Sequence, residues 1–194
     1  MSRRKTDKER RKRRSFFSYL LEFIIYVTLA VFCVYIVPKY IIQRTEVDGN
    51  SMEDTLHHKD SLLIDKISYR FHSPERYDII VFYPEGRNVE KFYVKRIYGL
   101  PGETIQIKEN DIYINDKKID DPYAKDAMTD YGIAAEPYTL GSDEYFVLGD
   151  HRSVSKDSRY TSDSPENGPG PVKFENISGK AILRIWPLSA FGSI

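Results

Sequence analysis

Cysteine is almost absent from this chain of 194 residues, and Cys33 is the only one. One thiol cannot form a disulfide within the chain, so stability has to come from a packed core. The glycines do not form a phosphate-binding loop. Histidine is also scarce, and the four histidines are His57, His58, His72 and His151. The adjacent pair would point apart on a strand, and no third ligand is suitably spaced, so we expect neither a metal ion nor a cofactor.

The scarcity of histidine also weighs against a Ser/His/Asp triad. Asp150 and His151 are neighbours and could supply two of its members. The chain lacks the Gly-x-Ser-x-Gly sequence that presents the nucleophile in many such enzymes. His57 and His58 lie so close to Ser51 along the chain that the sequence does not indicate whether either ring could reach its hydroxyl as a base. A histidine base is therefore the weaker alternative.

Long apolar runs are absent except at residues 16–37, where Glu22 is the only charged residue. A helix of this length rises about 1.5 Å per residue and would cross a hydrocarbon core of about 30 Å. No small-residue cleavage site follows at residues 35–39, so a cleaved signal sequence is less favoured. We expect a transmembrane helix at residues 15–39.

The zero net charge of the chain hides an uneven distribution. Residues 1–14 contain nine Lys or Arg and two Asp or Glu, a net charge of +7, which leaves −7 for residues 15–194. Under the positive-inside rule a basic segment directly before a span stays in the cytoplasm, where it contacts anionic lipid rather than nucleic acid. We therefore expect a basic cytoplasmic tail at residues 1–14 and an extracytoplasmic domain at residues 40–194.

The extracytoplasmic part has the pattern of a β domain. Runs of β-branched and aromatic residues predict strands at residues 41–47, 60–67, 77–84, 91–98, 144–148 and 177–186. The sequence Glu109-Asn110-Asp111 separates two further apolar segments and predicts a hairpin. Residues 115–142 show no steady period, so we expect a smaller inserted region at about 103–143. The predicted fold is mainly β and mostly antiparallel.

Ser51 lies between small residues soon after the apolar run, in the sequence Gly49-Asn50-Ser51-Met52. Only residues 40–50 separate it from Lys39, so we expect it to lie close to the outer membrane surface. A serine hydroxyl is a poor nucleophile until a neighbouring base takes its proton. The catalytic use of Ser51 therefore depends on a base elsewhere in the chain.

Lys95 is the best candidate for that base. Side chains alternate along a strand, which places Lys95 on the same face as Tyr93 and Ile97 and places Arg96 on the other face. Burial can lower the pKa of a lysine by up to about 3–5 units, whereas a guanidinium stays protonated. Most lysines on strands are solvated charges, so the Ser/Lys pair alone does not establish catalysis.

Three groups of residues occur in one order between residues 49 and 159. They are Gly49-Asn50-Ser51-Met52 with Thr55-Leu56, Tyr93-Val94-Lys95-Arg96-Ile97 with Gly99-Leu100-Pro101-Gly102-Glu103, and Gly149-Asp150-His151-Arg152 with Ser155-Lys156-Asp157-Ser158-Arg159. Together these groups resemble the motifs of the bacterial type I signal peptidases, peptidase family S26. Any one of them would be a weak signal, but three in this order are specific.

The resemblance implies a membrane-bound serine endopeptidase, a hydrolase, in which Ser51 is the nucleophile and Lys95 is the general base. In this family the backbone N–H of the nucleophile holds the oxyanion, helped in some members by a hydroxyl two residues earlier, and here that position is Gly49. Further supporting residues are implied, namely Ser155, which orients the lysine amine, the ion pair of Asp157 with Arg159, and Asp150.

The resemblance also implies the substrates and the location. The expected substrates are secreted preproteins, cut after small residues such as Ala at positions −1 and −3, at the outer face of a bacterial cell membrane. The substrate would bind as an added strand over shallow apolar pockets. From their places in the predicted strands, we expect Leu62, Ile64 and Phe82 to line those pockets.

The chain departs from the family pattern at two positions. Asp54 stands where proline is usual after the Ser-Met-x triplet, and proline would stiffen the backbone beyond Ser51. His151 stands where asparagine is common. Asp54 keeps open a second hypothesis, that of a catalytically weak paralogue acting as a scaffold in pilus or export assembly. A Ser/Lys self-cleaving repressor is a third, but it would need a DNA-binding domain where the apolar run lies.

Overall fold

The computed structural model describes residues 2–89, 91–165 and 167–194, with side chains described from residue 16 onward. The chain divides after Ile41 into two compact units. The first unit is a helix, and the second is a β domain.

The first unit begins with helix α1, Ser2–Val31, which passes through a π-helical turn, Phe32–Ile36, into helix α2, Val37–Tyr40. The segment Phe16–Tyr40 is long and apolar enough to cross a membrane, and the structure buries none of its most apolar stretch. Apolar side chains exposed on all sides of a helix are typical of a membrane span. The side chains of the basic tail lie outside the described part of the chain.

The second unit contains twelve strands among the described residues. They are β1 Ile42–Glu46, β2 Ser61–Asp65, β3 Ile79–Phe82, β4 Tyr93–Gly99, β5 Thr104–Lys108, β6 Asp111–Ile114, β7 Lys117–Lys118, β8 Tyr138–Thr139, β9 Glu144–Leu148, β10 Val172–Lys173, β11 Ile177–Trp186 and β12 Gly192–Ser193. The pairings between these strands are antiparallel. The predicted mainly β, mostly antiparallel fold is confirmed.

The larger sheet has the strand order β1-β2-β11-β3-β4-β9-β10, with β12 paired to β11. Strand β4 lies between β3 and β9, with Lys95 opposite Ile80 on β3 and Arg96 opposite Leu148 on β9. A central strand is covered by neighbours on both edges, so its side chains are held in place more firmly than those of an edge strand. Lys95 therefore lies on one of the best-supported strands of the domain.

The smaller sheet has the order β7-β6-β5-β8 and contains the predicted hairpin. Lys108 pairs with Asp111, so the connection is the two-residue turn Glu109-Asn110. Both turn residues have positive φ angles, +54° and +69°, as a type I′ hairpin requires. The hairpin prediction is confirmed.

Three apolar clusters form the core of the second unit. The cluster that concerns the site lies under the turn that carries Ser51, and its buried members are Val47, Met52, Leu56, Leu62, Ile64, Ile79, Val81 and Ala181. Two residues of that turn are thus part of the core. Apolar burial contributes roughly 25 cal/mol per Å², so the turn is anchored by its own side chains.

Candidate active site

Ser51 lies in the turn between β1 and β2. The turn is closed by a hydrogen bond from Glu53 N to Asn50 O, at 3.2 Å, and by one from Leu56 N to Met52 O, at 2.7 Å. Met52 and Leu56 are buried on either side of the turn, with 1% and 0% of their surface exposed. A small polar residue next to two core anchors leaves the Ser51 side chain directed away from the core.

The structure brings the Ser51 hydroxyl and the Lys95 amine together. Ser51 Oγ and Lys95 Nζ are 2.6 Å apart, and the amine also donates to the carbonyl oxygen of Val94, at 3.1 Å. A separation of 2.6–3.2 Å is within direct hydrogen-bond reach, as proton transfer requires. Of the described side chains, only Lys95 has a basic nitrogen hydrogen-bonded to Ser51 Oγ.

The surroundings of Lys95 favour its neutral form. Its residue surface is 4% exposed, and burial lowers the pKa of its amine to about 8, although the carboxylates of Asp157 and Asp150 oppose that shift. Desolvation disfavours the charged form of an amine. A large fraction of Lys95 is therefore unprotonated at mildly alkaline pH, where it can accept a proton.

The segment after β9 lies directly against the backbone of Ser51. His151 N donates to Ser51 O at 3.1 Å, and the His151 ring nitrogen Nδ1 lies 3.2 Å from Asn50 O. A Cβ atom placed on Gly149 would lie 2.5 Å from Ser51 O and 2.2 Å from Ser155 Oγ. No side chain fits at position 149, so only glycine allows this close approach.

Ser155 is buried beside Gly149 rather than paired with the lysine. Its Oγ has no hydrogen-bond partner among the described residues, although the resemblance implies a contact between this hydroxyl and the Lys95 amine. The Oγ atom occupies the space that a Cβ atom on Gly149 would need. The structure therefore brings Ser155 next to the site without the expected hydrogen bond.

Asp157 and Arg159 form a buried ion pair under the segment after β9. Arg159 Nε lies 2.9 Å from Asp157 Oδ1, and the two side chains are 1% and 0% exposed. The other carboxylate oxygen of Asp157 accepts from Gly149 N at 3.1 Å, and Arg159 donates to the carbonyl oxygens of Arg152 and Asp130. The pair therefore ties several backbone groups near Ser51 into one buried network.

Asp150 belongs to a second buried ion pair, with Arg96. Arg96 Nη2 lies 2.7 Å from Asp150 Oδ2, and Thr55 Oγ1 donates to the same oxygen at 2.5 Å. The guanidinium also stacks on the ring of Tyr123, 3.7 Å from its centroid. The sequence did not reveal the roles of Arg96 and Thr55. Arg96 and Asp150 are 54 residues apart in the chain, and the pairing of β4 with β9 brings them together.

Gly49 adopts a φ angle of +105°, and a Cβ atom there would meet nothing within 4 Å. Backbone conformation rather than space therefore favours glycine at this position. Gly49 N donates to His58 Nδ1 at 3.2 Å. The backbone N–H of Ser51 has no acceptor among the described residues, so it is available to a bound group.

Ser51 and Lys95 open into a cleft of about 510 Å³. The residues along it are Thr45, Glu46, Val47, Asp48, Gly49, Asn50, Ser51, Met52, Lys91, Phe92, Tyr93, Val94, Lys95, His151, Val154 and Lys156. The apolar walls come from the segment after β1 and the start of β4. A cleft of this size with apolar walls and a few polar groups is typical of a peptide or small-molecule site.

The predicted pocket residues lie elsewhere. Leu62 and Phe82 are 0% exposed and Ile64 is 1% exposed, and none of them is among the described residues along the cleft. Leu62 and Ile64 belong to the apolar cluster under the Ser51 turn, and Phe82 belongs to a second cluster of the core. Phe92 and Val94, just before β4 and within it, line the cleft instead. The alternation of side chains along the chain does not show whether such residues face the cleft or the core.

Comparisons with known proteins identify the family of this chain. A model of the family described as "Signal peptidase, peptidase S26" matches residues 20–186. A "Probable signal peptidase I-2" of Synechocystis sp. is 36% identical over 79% of this chain and 67% of its own length. A "Signal peptidase IB" of Staphylococcus aureus is 33% identical over 89% of this chain and 92% of its own. A solved signal peptidase I of Enterococcus faecalis is 29% identical, with 56% of this chain and 97% of that one covered and a TM-score of 0.42.

A Ser/Lys pair in a cleft of an antiparallel β domain defines a candidate hydrolase. The chain belongs to the signal peptidase family, peptidase S26. Membership makes it a serine endopeptidase, and the resemblance stated from the three sequence motifs is confirmed.

Proposed function

We propose that this chain removes signal peptides from exported preproteins, with Ser51 as the nucleophile and Lys95 as the general base. The observation that carries the proposal is the 2.6 Å separation of Ser51 Oγ and Lys95 Nζ. The amine is buried and its pKa is lowered to about 8. A hydroxyl beside a neutral amine is the arrangement that nucleophilic catalysis without histidine needs.

In the first step Lys95 Nζ takes the proton of the Ser51 hydroxyl while Oγ attacks the scissile carbonyl carbon. The carbonyl oxygen becomes an oxyanion, which the free N–H of Ser51 is suited to stabilise; loss of one such donor typically costs about 10²–10³-fold in rate. The C–N bond then breaks, and the ammonium of Lys95 gives its proton to the departing amine. The mature chain leaves, and the signal peptide stays as an ester on Ser51.

In the second step a water molecule replaces the amine that has left. Lys95 takes a proton from the water as its oxygen attacks the ester carbon, and the proton returns to Ser51 Oγ when the ester breaks. The products are the free signal peptide and the original enzyme. The same amine thus serves both halves of the reaction.

Substrate binding follows from the walls of the cleft. We propose that Phe92 and Val94, which line the cleft and are only partly buried, contact the small side chains that precede the cleavage site. A substrate in extended conformation would add its backbone to the exposed strand edges near the cleft. Leu62, Ile64 and Phe82, which lie in the core, are not part of this proposal.

We further propose that the segment Phe16–Tyr40 anchors the protein in the cell membrane, with residues 1–14 in the cytoplasm and the second unit outside. The tail contains nine basic and two acidic residues, and this net positive charge supports the orientation. Ser155, Asp157, Arg159 and Asp150 are proposed as supporting residues. The ion pairs of Asp157 with Arg159 and of Asp150 with Arg96 hold the segment after β9 against Ser51, and Ser155 packs against Gly149 in that segment.

The test is cleavage of a preprotein by the purified full chain in detergent. We expect release of the mature protein and the signal peptide after a small residue, and no release with the Ser51→Ala variant. Binding of the preprotein by Ser51→Ala should persist. Binding without cleavage by the unaltered chain would favour the scaffold hypothesis instead.

The rate of cleavage is expected to rise with pH and to reach half of its plateau near the Lys95 pKa of about 8. The pKa of Lys95 is lowered from its ordinary value to about 8, and the amine accepts a proton only when it is neutral, so activity is low below that pKa and full above it. The measurement is kcat/KM for one preprotein across about pH 6–10, which brackets the pKa of the amine. A profile that falls with rising pH, or that is flat, would contradict the lysine base.

A further inference from the structure

Lys125 connects two segments on either side of Ser51 and belongs to neither of them. It lies in the long connection between β7 and β8, far from Ser51 in sequence. Its backbone contacts the segment after β9, and its side chain contacts the turn after β1. We propose that Lys125 is a positioning residue that holds the Ser51 turn in register with Lys95, an inference that rests on the proposed function above.

The backbone around Lys125 is fixed to the segment after β9. Lys125 N donates to Asp150 O at 2.9 Å. The carboxylate of the next residue, Asp126, accepts from Arg152 N at 2.7 Å and from Ser153 N at 3.1 Å. Lys125 and Asp126 thus take part in three hydrogen bonds with the segment after β9. These bonds restrain the backbone at Lys125, so the base of its side chain has a defined position.

The side chain of Lys125 then reaches the turn of the nucleophile. Its amine lies 2.8 Å from Glu53 Oε2 and 3.2 Å from Asp54 Oδ1. Glu53 N in turn donates to Asn50 O across Ser51. The turn is therefore held from two sides, by Lys125 at Glu53 and Asp54 and by the His151 N–H at Ser51 O.

The backbone of the Ser51 turn is not restrained by proline. No proline occurs between residues 39 and 73, so no ring restricts φ near Ser51. Side-chain contacts supply the rigidity, and Lys125 adds two polar contacts at Glu53 and Asp54 to the apolar anchors Met52 and Leu56. Positioning of reacting groups is demanding, since a misplacement of about 1 Å can cost on the order of 100-fold in rate.

The contact joins the positive amine of Lys125 to the negative carboxylates of Glu53 and Asp54. The hydrogen bond from Lys125 lowers the pKa of Glu53, and the hydrogen bonds to Glu53 and Asp54 raise the pKa of Lys125. The His151 ring, 3.8 Å from Glu53 Oε2, and His57 are further titratable groups that favour the ionised form of this carboxylate. The pair stays ionised at the pH values where Lys95 is neutral, so the contact is present in the active form of the enzyme.

The test is the kinetics of Lys125→Ala with a preprotein substrate. Lys125 touches no reacting atom, so we expect kcat to fall about tenfold while KM changes less than about twofold. Lys125→Arg should recover most of kcat, because its guanidinium can bind both carboxylates. Combining Lys125→Ala with Glu53→Gln should lower kcat less than the product of the two single effects.

Lys118 provides the matched control. It is also a lysine of the inserted region, and it forms an exposed ion pair with Asp111 at 2.6 Å, outside the cleft. Lys118→Ala should leave kcat and KM unchanged. Thermal unfolding of each variant separates loss of positioning from loss of folding, and Lys125→Ala should keep a cooperative transition close to that of the unaltered chain.

The outcomes separate this inference from the proposed function. If the unaltered chain cleaves preproteins and Lys125→Ala does so at the same kcat, the inference is wrong and the proposed function stands. A fall in kcat that Lys125→Arg does not recover, or that Lys118→Ala shares, would also overturn it. If the unaltered chain does not cleave and Ser51→Ala behaves identically, the proposed function itself has failed.

Discussion

Replacing Lys95 by methionine is expected to abolish preprotein cleavage, with a fall in kcat/KM of about 10²–10⁴-fold or more. Methionine is similar in length and suits the buried position, so the fold should persist while the proton acceptor 2.6 Å from Ser51 Oγ is lost. Lys95→Arg should be equally inactive, because guanidinium remains protonated at every accessible pH. The measurement is initial rate with a purified preprotein, together with the unfolding temperature.

Lys66 is the control for this prediction. Its amine is also partly buried, burial lowers its pKa, and it donates to Gln43 Oε1 at 3.0 Å rather than to a serine. Lys66→Met should therefore retain activity. If Lys95→Met kept a substantial rate, or Lys66→Met lost it, the base would have to be sought elsewhere in the cleft.

Replacing Asp157 by alanine is expected to destabilise the protein by about 3–5 kcal/mol, because a buried guanidinium would be left without its partner. Asp157 and Arg159 are 0% and 1% exposed, and the same carboxylate accepts from Gly149 N. For a chain of this size the loss corresponds to a fall in unfolding temperature of roughly 6–20 °C. Thermal or urea unfolding of the purified protein measures it.

Two further variants test the reason for that loss. Glu46→Gln removes an exposed partner of Lys59 and should leave the unfolding temperature unchanged. The double variant Asp157→Ala with Arg159→Met should cost less than the two single changes added together, since no buried charge remains unpaired. An additive double variant would show that the ion pair is not the source of the stability.

The pH dependence of cleavage tests a second effect of Asp157, its influence on the pKa of Lys95. Its carboxylate raises the pKa of Lys95 and Arg159 lowers it, although both effects are smaller than that of burial. Removing the carboxylate should therefore move the rise of the pH profile to lower pH, in any variant that still folds. A shift to higher pH would contradict the influence of Asp157 on the amine.

Much of the fold could be predicted because its signals are local. The strand Glu144–Leu148 and the long strand Ile177–Trp186 have the bounds that their β-branched and aromatic runs indicated. The hairpin at Glu109-Asn110 followed from turn chemistry. These patterns depend on neighbours within a few residues, which a sequence displays directly.

The apolar residues that line the cleft could not be predicted in the same way. Leu62, Ile64 and Phe82 are apolar residues on strands, as are Phe92 and Val94, and nothing in their local pattern distinguishes core from cleft. The distinction depends on how completely each side chain is covered by the apolar clusters of the core: Leu62, Ile64 and Phe82 are members of them, whereas Phe92 and Val94 are only partly buried against one. Ser155 shows the same difficulty, because the direction of its hydroxyl depends on the approach of Gly149.

The sequence by itself determined the class of this protein, because three motifs in order, an apolar run long enough for a membrane and alternating strand patterns are all written along the chain. Tertiary structure alone decided that Lys95 meets Ser51 at 2.6 Å, that Arg96 pairs with Asp150, and that Lys125 reaches Glu53. Those contacts join residues 44, 54 and 72 positions apart. The physical reason is that their distances are set by how strands pair and loops pack, which no local pattern specifies.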